Sequence, residues 1–247
     1  MDKDPYTTLA SYYDALFGWH TERETNFVLE VFKSWDRPIK RILDAACGTG
    51  RHAKILQHAG YEVLCLDRST AMLKVAKRKN LTTIQADIRK MSYAAEFDAV
   101  LLLFSSFQYM ITNNDAKQAL KSIYRALKEK GVFILDIWNA WYKLFHYRNR
   151  GEEMAETDDF KVLRITNSEI GLTDQTYQLG EVLLIDKEGK FEMHHNVHQM
   201  RLYSPLEIVA FVEAAGFEIK NKYANFNLQE RFETSLDPEI MVIVAKK

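Results

Sequence analysis

The stretch Ile42–Ala53, ILDAACGTGRHA, closes an apolar run with a carboxylate and then sets two glycines one residue apart. Glycine there lets the backbone turn sharply and approach a ligand where a Cβ would collide. With Ala53 the segment meets a loose G-x-G-x-x-A pattern, and Asp67 closes the next apolar run. A carboxylate at that place accepts two short hydrogen bonds from the vicinal hydroxyls of a ribose, whichever nucleoside carries them. Taken alone, these residues fit either hydride transfer on a dinucleotide or group transfer from a cationic nucleoside sulfonium.

Four neighbouring features separate the two. Asp44 precedes the glycines as D-x-x-C-G-x-G, where a carboxylate repels a pyrophosphate but suits an ammonium and a sulfonium. Asp87 ends a third strand-like run and is followed by apolar Ile88, a pair suited to an adenine amino group and ring. The run after it ends in FSSFQYM (104–110), polar and aromatic. The chain then finishes with one helix and two strand-like segments rather than a second mononucleotide-binding half.

To gather these carboxylates at one crevice, the chain must carry them on the tips of neighbouring strands. Strand-like runs occur at 41–46, 61–67, 82–87, 97–105 and 132–138, with helical stretches at 51–59, 70–79 and 115–129 between them. Gly60 and Gly131 stand where helix C-caps belong. Ser69 or Thr70 is placed to cap the second of these helices, which leaves Asp67 free for a ligand. Apolar strands alternating with amphipathic helices predict an α/β, doubly wound, mainly parallel seven-stranded sheet. Residues 160–203 break the rhythm with antiparallel strand patterns around a turn at 186–189, and the acidic stretch 151–159 reads as a solvated loop. Ser204-Pro205 opens a late helix stopped by Gly216. The expected division is 1–140 with 204–247 as the ligand-binding domain, and 141–203 as an antiparallel insertion serving as a substrate lid or oligomer contact.

The 247 residues are 47% hydrophobic, enough for one sizeable core, and 33 basic against 34 acidic side chains leave a net charge of -1. That balance argues against nucleic acid as a partner. Cys47 and Cys65 lack the paired spacing of a disulfide framework or zinc site and read as reduced packing residues. No leader or spanning run is legible, so the expected location is cytoplasmic, with no membrane partner.

The quoted motifs resemble the class I S-adenosylmethionine-dependent methyltransferase family, over roughly 1–140 and more loosely 205–247. LDAACGTGRH is similar to its glycine-rich motif, LDRSTAML to its ribose acid and adenine wall, QADI to its adenine contact, and FDAVLLLFSSFQYM to the strand beside the methyl group. YYDALFGW and FSSFQYM are similar to small-molecule N-methyltransferases, including amino-sugar N,N-dimethyltransferases. The resemblance implies S-adenosylmethionine (SAM) as cofactor and a Rossmann-like methyltransferase fold. It implies that Asp44 and the backbone of Ala46, Gly48 and Gly50 hold the methionine part, and that Asp67 holds the ribose. By the same resemblance Arg68 and Met72 flank the adenine, Asp87 and Ile88 fix its edge, Leu103 and Phe104 lie near the ammonium, and Tyr13 closes over the donor.

The acceptor side is less constrained. Candidates are Tyr12, Tyr13 and Trp19; Trp138, Asn139 and Tyr142; and His194, His195, His198, Arg201 and Tyr203. Strand alternation sets His194 and His198 on one face and His195, Arg201 and Tyr203 on the other, so the three histidines cannot share one metal ion. No His/Asp pair is readable as a general base. An amine, which needs only to arrive deprotonated, is therefore favoured over oxygen as the acceptor on a small molecule. The alternatives are O-methylation, an NAD(P)-dependent oxidoreductase and an inactive SAM-binding protein; a homodimer through the insertion is a further expectation.

Overall fold

The computed structural model describes residues 4–233 and 238–247. Three helices come first, α1 (Tyr6–Leu9), α2 (Tyr13–Phe17) and α3 (Thr21–Ser34). Then follow β1 (Arg41–Ala45), α4 (Arg51–His58), β2 (Glu62–Asp67), α5 (Thr70–Arg78), β3 (Thr82–Gln85), β4 (Phe97–Leu102), α6 (Asn113–Ala126) and β5 (Leu127–Trp138). After α7 (Ala140–Phe145) come β6 (Arg150–Glu156), β7 (Lys161–Gly171), β8 (Thr176–Lys187) and β9 (Lys190–Arg201). The chain closes with α8 (Pro205–Ala214), β10 (Glu218–Ala224), β11 (Asn227–Arg231) and β12 (Ile240–Lys246).

The main sheet runs β11-β10-β12-β5-β4-β1-β2-β3, parallel from β5 to β3. The chain leaves β1 toward β2 and β3 on one side and later takes β4 and β5 on the other. The crevice at the carboxyl ends of β1 and β4 is thus the topological switch point, where ligands bind in such sheets. Apolar side chains of β1, β4 and β5 are buried on both faces, as a parallel sheet covered by helices requires. The α/β, mainly parallel architecture is as expected, but the sheet has eight strands rather than seven. The eighth, β11, is short and polar. It folds back onto β10 through Asn225 and Phe226, both at positive φ, and an edge strand needs no apolar run to reveal it.

Two local expectations fail. The sixth helix ends at Ala126, not 129, and Gly131 is no C-cap but part of β5. A Cβ at Gly131 would meet the Lys128 carbonyl oxygen at 2.8 Å and that of Asp98 at 3.2 Å, so glycine is required there by close packing. The acidic stretch at 151–159 is largely strand β6, not a loop. Pairing with β7 gives its acids basic partners, Glu153 with Arg164 and Glu156 with Lys161, each at 2.7 Å. Elsewhere local chemistry acts as read. Ser69 caps α5, Ser204 and Glu207 form a capping box around Pro205, and Glu188–Gly189 turns the β8–β9 hairpin with both residues at positive φ.

The second sheet runs β6-β7-β8-β9, antiparallel throughout. Val162, Leu183 and Ile185 on its inner face bury Leu9, Tyr12 and Leu16 of the N-terminal helices. Those helices therefore pack on the insertion, each buried leucine contributing about 1.5–3 kcal/mol. Among the described residues no helix is long and apolar enough to cross a membrane.

Gly131→Ala is expected to lower stability by about 1–3 kcal/mol, because besides the Leu127 side chain it meets two backbone carbonyl oxygens that cannot yield. Gly18→Ala, where an added Cβ meets nothing within 4 Å, should leave the denaturation midpoint nearly unchanged.

Candidate active site

The tip of β1 turns through Ala46, Gly48 and Gly50, all at positive φ. The two glycines have different tasks. At Gly48 a Cβ would meet only the Met72 sulfur, at 4.0 Å, and the residue lies on the crevice wall, so its backbone is open to a ligand. At Gly50 a Cβ would drive into Leu81 Cδ1 at 2.3 Å and Ala76 Cβ at 3.3 Å. Gly50 is off the crevice lining, and its glycine serves the packing of the turn on α5 and Leu81.

The crevice has a volume of about 410 Å³. Of the residues expected at the donor, Tyr13, Ala46, Gly48, Asp67, Arg68, Met72, Asp87 and Ile88 line it. Asp67 Oδ2 accepts from the Gly48 N–H and Oδ1 from the Ser69 N–H, both at 2.8 Å, which fixes the carboxylate and leaves lone pairs facing the crevice for hydroxyls. Burial pushes its pKa up. Asp87 is more committed than its sequence context suggests. Arg89 grips both carboxylate oxygens, at 2.6 to 3.0 Å, and also donates its backbone N–H. Burial pushes Asp87 up, but the Arg89 hydrogen bonds outweigh it and hold the carboxyl below its ordinary value. Leu103 and Phe104 stand behind the wall rather than on it: Leu103 is buried, and Phe104 stacks under the Arg51 guanidinium, 4.0 Å from its carbon.

Asp44 is 2% exposed and its Oδ2 has no hydrogen-bond partner. Burial first, then the neighbouring Asp67 charge, push its pKa to about 7, with Arg51 opposing. A carboxylate withdrawn from water without a partner is poised for a cation. Asp44 is not itself on the crevice lining, which reaches Ala46 and Gly48 just after it in the chain; the α-ammonium of SAM fits its need for a cation, and the ribose and adenine fit the Asp67 and Asp87 stretch.

The N-terminal residues cover the opening. Asp4, Pro5 and Tyr6 join Tyr13 on the lining. Asp4 Oδ2 accepts from Ser69 Oγ at 2.6 Å, Asp14 Oδ1 accepts from Thr49 at 2.5 Å, and Arg51 donates to the Phe17 carbonyl. Sequence reading missed Asp4 and Tyr6, since nothing in DPYTTLA has a chemical pattern. Tyr109, in the flagged FSSFQYM, is on the wall and bonds the Tyr6 hydroxyl at 2.6 Å and His198 Nδ1 at 2.8 Å.

The acceptor candidates divide sharply. His198 is buried behind Tyr109, with Nε2 3.8 Å from Glu181. Glu181, itself bound by Arg164 and Asn196, is held at about 2: burial opposes, and His198 and Arg164 prevail. So a histidine–carboxylate pair exists where none was legible, because β8 supplies Glu181 from a strand position with no motif. The others serve structure. Asn139 caps α7 and bonds the Pro238 carbonyl, and Trp138 packs on Tyr177 and Lys143. Arg201 clamps Asn113, Gln175, Glu207 and the Ile111 carbonyl. Tyr203 bonds the Met110 carbonyl, Tyr142 stacks on His146, and Tyr12 faces Phe160 of the insertion. His195 and Trp19 are exposed, and His194 bonds Glu192 and Thr8.

Two further buried side chains at or next to the Ser105–Met110 turn carry unpartnered polar atoms. Gln108 is fully buried with both its amide atoms unbonded, and Asp136 Oδ1 at the end of β5 is likewise free. Asp136 Oδ2 accepts from Ser105 N and Oγ at 2.9 and 3.0 Å. Burial, then the Glu24 charge, push Asp136 up to about 7. Glu24 is ionised beside a neutral His52, 2.7 Å away.

A cation bound at Asp44 must find it ionised, so donor binding below pH 7 should expel a proton. The ligand-free fold, which keeps the proton up to about 7, should also lose stability as pH rises through that value. Titrating S-adenosylhomocysteine at pH 6 in buffers of differing ionisation heat is expected to report that release. Asp44→Asn should abolish it and weaken binding about 10- to 150-fold, the worth of a charged hydrogen bond. Buffer-independent heats would contradict the assignment.

Residues 42–131 match the protein family described as "Methyltransferase domain". A Geobacillus sp. (strain WCH70) protein, provisionally named a methyltransferase, is 28% identical over 98% of this chain and 99% of its own. The dTDP-3-amino-3,4,6-trideoxy-alpha-D-glucopyranose N,N-dimethyltransferase of Streptomyces venezuelae is 26% identical over 85% of this chain and 90% of its own. The SAM-bound structure of an amino pentose methyltransferase from Micromonospora echinaspora superposes with a TM-score of 0.75 at 22% identity, over 100% of this chain and 98% of that one. The glycine turn and its carboxylates thus lie in a methyltransferase domain, and the chain aligns end to end with methyltransferase relatives and shares the Rossmann-like fold of a SAM-bound one.

Proposed function

We propose that the protein transfers the methyl group to the nitrogen of a small-molecule amine. Asp44 holds the donor's ammonium, the backbone at Ala46 and Gly48 its methionine chain, and Asp67 its ribose. Arg68, Met72, Asp87 and Ile88 enclose the adenine, and Tyr6 and Tyr13 close over it. Residues 1–140 and 204–247 then form the donor-binding unit, while 141–203 shape the acceptor side. When bound, SAM supplies an electrophilic methyl on a good leaving group, so the protein's main contribution is alignment, worth on the order of 7–11 kcal/mol.

The observation that carries the amine reading is two buried side chains with unpartnered polar atoms, Gln108 within the Ser106–Met110 turn that lines the crevice and Asp136 bonded to Ser105 at the start of that turn. A carboxyl poised near pH 7 accepts N–H donors in its ionised form and orients an amine whose lone pair is the nucleophile. Covering of the crevice by the N-terminal helices supports a small acceptor over a macromolecule. The Streptomyces venezuelae relative, which spans nearly the whole chain, is named for N,N-dimethylation of an amino sugar, in keeping with this reading. His198 with Glu181 favours a second one, a hydroxyl acceptor whose proton leaves through Tyr109.

Paired amines and their hydroxyl isosteres, incubated with SAM and analysed by mass spectrometry, separate the two. The amine reading expects methyl on nitrogen, a roughly 100-fold or larger loss of turnover in Asp136→Asn with donor binding kept, and a smaller loss in His198→Asn. Methyl found only on oxygen, with His198→Asn the more damaging change, would reverse it.

A further inference from the structure

Arg51 opens α4 directly behind the glycine turn, and its guanidinium is only partly used by the fold. The residue is 8% exposed. Its Nη1 donates to the Phe17 carbonyl, and its guanidinium carbon stands 4.0 Å from the centre of the Phe104 ring. Its Nη2 is buried and has no partner. Among the described residues no carboxylate forms an ion pair with it, because the acids that reach this turn are already taken. Asp14 is bound by Thr49 and Lys79, and Glu24 by His52 at 2.7 Å. A guanidinium stays charged at any pH the protein meets, so a buried N–H of this kind carries a desolvation cost until an anion accepts from it.

Asp44 is its counterpart, with Oδ2 equally buried and unpartnered. Burial and the Asp67 charge push the Asp44 carboxyl up, and Arg51 is the charge that opposes them. The two groups therefore share one neighbourhood without bonding each other. An acid and a base kept apart, each with an unused atom, suit a ligand that brings one charge of each sign. Both stand at the same end of the crevice, just off its lining. Ala46 and Gly48 carry the chain from Asp44 onto that lining, and the ring of Tyr13, which is part of it, is centred 5.7 Å from the Arg51 guanidinium carbon. The start of α4 adds to the positive side, since its N-cap is Gly50 and no side chain caps the first-turn amides. We infer that Arg51 is the partner of the donor's α-carboxylate, which rests on the reading of Asp44 as the partner of its α-ammonium. Together they clamp the zwitterionic head of the methionyl chain. The Arg51 half of the clamp is a specificity device: a nucleoside with the same base, sugar and amine but no carboxylate leaves Nη2 unpaired, and a buried donor left unpaired rejects such an analogue strongly.

Calorimetry on the full chain with S-adenosylhomocysteine and with its decarboxylated form reads the carboxylate by itself. The wild type is expected to bind the first about 10- to 100-fold more tightly, a comparison that needs no variant. Arg51→Gln should weaken S-adenosylhomocysteine binding by that factor and leave the decarboxylated ligand nearly unaffected, so that the discrimination collapses. Arg51→Lys, which keeps a cation without the planar fork, should retain part of it. Asp44→Asn should weaken both ligands, because both carry the ammonium, and this keeps the two assignments apart. Equal binding of the two ligands by the wild type would overturn the Arg51 assignment and leave that of Asp44 standing. Equal weakening of both by Arg51→Gln would overturn it in favour of a purely structural role in tying the turn to Phe17. An Arg51→Gln variant that binds both ligands like the wild type but loses affinity for glycine would overturn it as well, by moving the guanidinium to the acceptor's carboxylate. Binding of neither ligand by the wild type would refute the donor site as a whole.

Discussion

An acid without a partner in the protein interior is the constraint around which this molecule is organised. Asp44 sits in the penultimate position of β1, flanked by β2 and β4, and neither strand offers it a hydrogen-bond donor for Oδ2. Leaving such a group unsatisfied costs on the order of 1–3 kcal/mol, and the nearby Asp67 raises that cost. The surrounding structure accepts this because the sheet end is fixed from several sides. The turn's amide at Gly48 is tied to Asp67, Gly50 is wedged against Leu81 and Ala76, and Arg51 is held by the Phe17 carbonyl and the Phe104 ring. A cationic ligand beside it would relieve a tension already present, a source of selectivity for positive charge in a chain of net charge -1.

Much of this was legible because it follows from local rules. The βα rhythm, the caps at Ser69 and Ser204, the glycine turn and the spacing to Asp67 and Asp87 each depend on residues near one another in the chain. What could not be read came from pairing across distance. Strand β6 looks like an acidic loop until Arg164 and Lys161 are set beside it. Glu181 lies in a run of strand residues, and only the β8–β9 hairpin brings it to His198. Asn139 and Arg201 have the composition of binding residues, yet serve as a helix cap and a clamp. Tyr6 had no signal at all. Its role arises from where a short helix happens to be anchored.

The insertion links the N-terminal cover of the crevice to its wall at Tyr109. Its inner face carries the hydrophobic seat for Leu9, Tyr12 and Leu16, and the same sheet presents His198 to Tyr109. Arg164, central in that face, bonds Glu181 and also lies 5.2 Å over the Phe17 ring. The segment covering the crevice and the strand that carries His198 therefore share one support, and a displacement of either reaches the other through packed side chains.

That shared seat bears on how such enzymes diversify. Residues 6–17 are far from 150–201 in the chain, yet they bury Leu9, Tyr12 and Leu16 against it, while Tyr13 and Phe17 reach Phe104 of the main domain. A chimera that imports only a foreign four-stranded sheet would strand these helices on a mismatched bed. Recombination that keeps the two pieces as one module preserves the fit, so the opening helices and the distant hairpins should be inherited together.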